Sequence, residues 1–191
     1  MLQVIAGLLI LFNSSHYNVP IQNDQQIDGI WTIVPEKSMI GFKIPVMFIF
    51  PVEGSFTGVS GTIEIGHNLL EAEVDLTIDP ATIDTRNEKR DEHLRSEDFF
   101  YVEKYPEIIF SASRIAKQAV ENRYTVEGEL TIRDVTKTIN VPVTLEEINE
   151  EGEIVFSGSK NINRREFNID YSGRGLGDTA ELDFRIVAVR K

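Results

Sequence analysis

At 191 residues the chain has the length of one domain and can bury a substantial core. Its 31 acidic against 19 basic residues give a formal net charge of −12. There is no basic stripe to displace counterions from phosphate, and anionic lipid headgroups would repel the chain, so composition argues against nucleic acid and against a membrane contact held by charge. The absence of cysteine removes disulfides, thiolate catalysis and zinc–thiolate sites together.

Leu2 to Phe12 is an apolar run interrupted only by Gln3. It is too short to span a bilayer, which takes about 20 residues, and its length fits the apolar part of an export signal. No Lys or Arg precedes it and no A-x-A site follows; a start codon placed too late would account for the missing basic residues, and a short interfacial anchor is the alternative. Residues 1–15 are therefore read as an apolar signal, export or anchor segment, 16–29 as a polar linker, and 30–191 as the folded domain.

From Trp31 onward the dominant period is two. Ile40 and Phe42 alternate with Met39, Gly41 and Lys43, and Gly54, Gly58 and Gly61 mark a bulged or bent pair of strands. Val74, Leu76 and Ile78 oppose Glu73, Asp75, Thr77 and Asp79 in a half-buried strand that Pro80 stops. Arg86 to Arg95 is mostly charged and helix-forming, with Asp84 or Thr85 as the expected N-cap. Ile108, Phe110 and Ala112 start a strand after Pro106. Tyr124, Val126, Leu130 and Ile132 face one side of the next, and Asp134 to Lys137 turns the chain into Ile139, Val141, Val143 and Leu145. Ile154 and Phe156, then Phe167 and Ile169, then Leu182, Phe184, Ile186 and Ala188 complete about eight one-sided strands. Antiparallel meanders of this kind stack as two sheets or close into a barrel, whose interior is filled or holds one small ligand.

Candidate chemistry is sparse. His16, His67 and His93 lie in different segments with no metal-ligand spacing, so no metal site and no cofactor is expected. His93, within the charged insert, is read as structural. Carboxylates are too numerous for any pair to be informative, no serine sits in a G-x-S-x-G elbow, and Gly173 to Gly177, superficially similar to a phosphate loop, precedes a strand where that motif requires a helix. The aromatics remain, on apolar strand faces or in the insert.

Three blocks resemble the YceI-like family of lipid- and polyisoprenoid-binding proteins. His93 to Phe100 running into Tyr105 to Ser111 is similar to the family's helix-to-strand signature, Gly128 to Lys137 to its strand-turn-strand block, and Asn163 to Ile169 with the closing strand to Lys191 is a looser match. Asp134 replaces the usual turn glycine, Thr138-Ile139 a proline-containing step, and Ile44-Pro45-Val46 lacks a frequent histidine. The resemblance implies an all-β, antiparallel, eight-stranded lipocalin-like barrel with a short helical insertion. It implies a non-enzymatic carrier or store of a polyisoprenoid or isoprenoid quinone, periplasmic or secreted, as monomer or homodimer. The inward candidates for lipid contact are Ile40, Phe42, Phe56, Val74, Leu76 and Ile78, then Ile108, Phe110, Val126, Leu130 and Val141, and last Phe156 and Phe184, with Phe99 and Phe100 from the insert. The rival expectations are a filled barrel acting as an interaction module and an enzyme acting on a small amphiphile.

Overall fold

The computed structural model describes residues 27–47, 50–149, 152–173 and 175–191; the expected export or anchor segment and most of the linker lie outside them. The period-two alternation becomes antiparallel strands throughout. Strands β1 (Gly29–Ile33) and β2 (Met39–Val46) are two halves of one bent strand, separated by a 3-10 turn at Pro35–Lys37. They pair with the halves of a second bent strand, β4 (Val59–Ile65) and β3 (Phe50–Phe56). The expected bend is real and Gly61 builds part of it. Gly61 has φ +141°, and a Cβ there would stand 2.0 Å from the carbonyl oxygen of Asp75, so only glycine fits.

The rest follows as β5 (Glu73–Ile78), the short β6 (Ile83–Asp84), helix α1 (Glu88–Arg95), β7 (Ile108–Lys117), β8 (Arg123–Ile132), β9 (Val135–Ile148), β10 (Glu153–Asn163) and β11 (Thr179–Arg190). In space the order runs β1, β4, β5, β7, β8, β9, β10, β11 and back to β1, where Trp31 to Ile33 pair with Arg190 to Ala188. This is a closed eight-stranded antiparallel barrel with one helix. Beyond the kinks, β2 continues the wall beside β11, and β3 and β6 extend it further.

Closure at the β1 end is apolar. Trp31, Val59, Ile63, Ile154 and Ala188 are buried there, and Trp31 Nε1 donates to the Ile27 carbonyl at 2.8 Å. Ile27 and Asp28 therefore already lie on the barrel, Ile27 against this cluster and Asp28 on the Arg190 guanidinium. The other end is held by Phe56, Ile83, Phe99, Ile132 and Phe167, also buried.

Two local expectations are corrected. Asn87, not Asp84 or Thr85, caps α1, its side chain accepting from Arg90 N at 3.1 Å. Arg86 takes φ +60° and moves the helix start two residues on, while the Asp84 carboxylate accepts from Arg86 N at 2.7 Å. Phe167 and Ile169 do not lie on a strand: Arg164–Phe167 is a 3-10 turn ended by Asn168 at φ 57°. The turn has a structural task. Strands β9 and β10 pair only between Val143–Ile148 and Gly158–Ile154, so residues 135–142 and 159–163 diverge. Phe167 and Ile169, 2% and 4% exposed, pack beside Val135 and Ile139 in the resulting gap.

Candidate functional site: an apolar bore

Inside the barrel runs a cavity of about 700 Å³, within the range of pockets that enclose small ligands. The structure places every inward candidate on its wall: Ile40, Phe42 and Phe56 from the bent strands, Val74, Leu76 and Ile78 from β5, Ile108 and Phe110 from β7, Val126 and Leu130 from β8, Val141 from β9, Phe156 from β10, Phe184 from β11, and Phe99 and Phe100 from the insert. The strand alternation that makes one face apolar is what gathers them. The interior is hollow, although eight strands can be filled by side chains alone.

Why so many phenylalanines leave a hole is visible in the glycines. A Cβ on Gly54 would stand 2.5 Å from Phe42 Cζ, one on Gly128 2.6 Å from Phe110 Cζ, and one on Gly158 2.5 Å from Phe184 Cζ. Each ring lies over an inward-facing glycine and takes space a side chain there would need; at Gly158 the Pro142 carbonyl oxygen, 2.2 Å from such a Cβ, takes it as well. The rings thus clad the wall and leave the axis free.

The insert closes one end, and its charged residues are the fastening. Asp91, 6% exposed, accepts from Thr85 N at 3.0 Å and from Thr85 Oγ1 at 2.5 Å. Arg90 donates to Thr85 Oγ1 at 2.7 Å and to its carbonyl at 2.8 Å. Arg95 donates to the carbonyls of Ala81 and Ile83 at 2.8 and 3.0 Å. With the helix so bound to residues 81–85, Leu94, Phe99 and Phe100 face the bore. Phe100 meets Phe56 edge-on at 5.5 Å, and His93, Phe99 and Tyr171 form a ring cluster with centroids 4.9–5.1 Å apart. His93 also pairs with Asp98 at 2.9 Å. It meets no nucleophile or metal-ligand cluster among the described residues and serves the end cap.

The sequence reading missed the polar residues of the wall. Tyr124 reaches the cavity from β8, its phenol pKa raised above 10.0 by burial. Arg164, 6% exposed, donates to the carbonyls of Gly177 (2.9 Å) and Ile169 (2.5 Å) and to Asp178 at 3.0 Å. Burial and then the neighbouring Arg165 lower its pKa from the ordinary guanidinium value; a guanidinium stays charged in proteins. Lys160 also lies on the wall. Its signal was present in the period-two register Ile154, Phe156, Gly158, Lys160, Ile162, where a lysine falls on the apolar face. Tyr124 was read on the same face as Val126 and Leu130 but not as a contact to the bore, and Arg164 follows the strand end, where the alternation stops.

A YceI-like domain model matches residues 31–188. A UPF0312 protein of Photorhabdus laumondii is 32% identical over 200 aligned positions, covering all of this chain and 97% of that protein. Among solved structures, BcnA of Burkholderia cenocepacia superposes with a TM-score of 0.75 at 27% identity, over 82% of this chain and 99% of that one. A polyisoprenoid binding domain from Saccharophagus degradans superposes with a TM-score of 0.70 over 84% and 98% of the two chains; at 16% identity the likeness is one of fold.

Proposed function

The chain belongs to the YceI-like family, and we propose that it is a non-enzymatic carrier or store that encloses the chain of a long apolar lipid, a polyisoprenoid or an isoprenoid quinone. The observation that carries this reading is the hollow bore. Some 700 Å³ is walled by aliphatic and phenylalanine side chains and capped by an aromatic insert. An apolar tail moved there from water gains roughly 25 cal/mol for each Å² removed. At about 30 Å³ for a water-sized group, the space takes roughly two dozen methylene-sized groups, an isoprenoid of about twenty carbons, with longer chains protruding. The shared barrel of a polyisoprenoid binding domain agrees with the ligand class. A filled interaction module fits poorly with such a hollow. An enzyme fits poorly with a wall on which none of the described residues is a carboxylate. The same reading puts the protein in the periplasm or outside the cell, with residues 1–15 as export segment or anchor.

Gentle purification from a lipid-rich host followed by native mass spectrometry tests the proposal. The expected result is an added mass released by organic solvent and identified as a long-chain lipid. A clean apo mass, with no uptake of added polyprenyl lipid, overturns it.

A further inference from the structure

In a chain with 31 acidic and 19 basic residues, the described residues of the bore wall include the basic side chains Arg90, His93, Lys160 and Arg164 and no Asp or Glu. Three of the four are engaged: Arg90 on Thr85, His93 on Asp98, Arg164 on two carbonyls and Asp178. Lys160 makes no hydrogen bond or ion pair with any described residue.

Its place is not that of a surface lysine. On β10 it stands between Gly158 and the buried Ile162 on the inward face, and its partner across the ladder is Leu182, also on the wall. The acidic residues on either side of Leu182, Glu181 and Asp183, pair with Asn161 and Ser159 and point to the exposed face. On the other side β9 no longer pairs with β10 beyond Gly158, and the gap there is taken by Phe167 and Ile169. Lys160 is half-buried, a cation on an apolar wall with no counter-charge among the described residues. The chain around it is strongly acidic, so an anion is held only where the wall itself supplies a cation.

We propose that Lys160 is the headgroup anchor of the bore, and that the carried lipid is an acidic amphiphile with a carboxylate or phosphate oxyanion on an isoprenoid-like chain. The inference rests on the lipid-carrier reading and narrows it: neutral alcohols and quinones fill the same space without an ion pair. The Lys160 Nζ–H groups donate to the oxyanion, and the apolar surroundings strengthen that charge-assisted bond.

The test uses the full chain stripped of co-purified lipid. Three twenty-carbon probes are titrated calorimetrically: geranylgeraniol, geranylgeranoic acid and geranylgeranyl monophosphate. Native protein is expected to bind at least one of the acids tenfold or more tighter than the alcohol. In Lys160→Met that preference falls to within twofold, and Lys160→Arg restores most of it. Preference for the monophosphate or for the carboxylate alone identifies the headgroup, and either supports the anchor. Equal binding of all three probes, or an acid preference that survives both Lys160→Met and Lys160→Gln with their thermal melts intact, overturns the anchor and leaves the carrier reading standing. Failure of all three probes to bind overturns both.

Discussion

Replacing Asp91 by alanine asks whether the charged residues of the insert are a fastening or a solvated face. Asp91 is the acceptor for two buried donors, Thr85 N and Thr85 Oγ1, and no other described residue accepts from either. A buried donor left without a partner costs about 1–3 kcal/mol. Two would cost about 2–6 kcal/mol, and about 3 kcal/mol is expected because water can reach part of the site once the carboxylate is gone. For a domain of this size each kcal/mol moves Tm by about 2–4 °C, so the melt should fall by roughly 6–12 °C. Asp91→Asn keeps one acceptor oxygen and should lose about half as much. Thr85→Val removes the hydroxyl, and in a double-mutant cycle with Asp91→Ala it should show coupling of about 1 kcal/mol or more. Hydrogen exchange should rise first in residues 88–100, since the insert is fastened by side chains where the barrel is fastened by ladders. An Asp91→Ala melt within 2 °C of the native one, or a cycle with no coupling, would refute the reasoning.

Three further outcomes follow from the same geometry. Gly128→Ala places a methyl 2.6 Å from Phe110 Cζ, so the ring must swing into the bore. Lipid capacity measured by native mass spectrometry should fall several-fold, with a loss in stability of only about 1–2 kcal/mol. Gly61→Ala meets a backbone oxygen at 2.0 Å with φ at +141°, has nothing flexible to displace, and should cost on the order of 3 kcal/mol by urea unfolding. Glu153 is held below its ordinary pKa of 4.5, first by the hydrogen bond from Lys37 and then by that from Asn149, and Asp134 is held below 3.8, first by its own backbone N–H. Depressed carboxylates contribute stability that is complete above their unfolded pKa and lost as pH falls through the folded one. Melts recorded from pH 6 downward should therefore lose stability below about pH 4.5, and Glu153→Gln should flatten the upper part of that loss.

The strands were legible because a period of two survives wherever one face is buried. Val74, Leu76 and Ile78, or Leu182, Phe184 and Ile186, announce their inward face without any knowledge of their neighbours. What the same pattern cannot carry is pairing. That β1 meets β11 to close the ring, or that β9 and β10 part company beyond Gly158, depends on residues more than a hundred positions apart or on a local divergence with no composition of its own. The insert was legible as a helix but not as a latch. A run such as Arg90, Asp91 and Arg95 looks like a solvated face until Thr85 and the carbonyls of Ala81 and Ile83 are placed beneath it. The cap was misplaced for a related reason, since the left-handed turn at Arg86 is set by what the chain must reach next.

Whether the barrel is filled or hollow was the question on which function turned, and composition was silent because eleven phenylalanines suit either. Register answers it. Phe42 is paired directly across the ladder with Gly54, and Phe184 with Gly158; Phe110 lies diagonal to Gly128, which pairs with Ala112. A ring beside a side chain of ordinary size would have to project toward the axis, and several such rings would meet there and close the space. A ring beside a glycine can lie against the backbone, so each glycine withdraws an aromatic group from the centre to the wall. Two of the pairs lie on adjoining strands, β10–β11 and β2–β3, and the third on β7–β8 elsewhere in the ring, so the bore is cleared from two sides. The glycines that look like weak points in the strands are therefore what make the interior a container, and Lys160, without a partner among the described residues, is left on its wall.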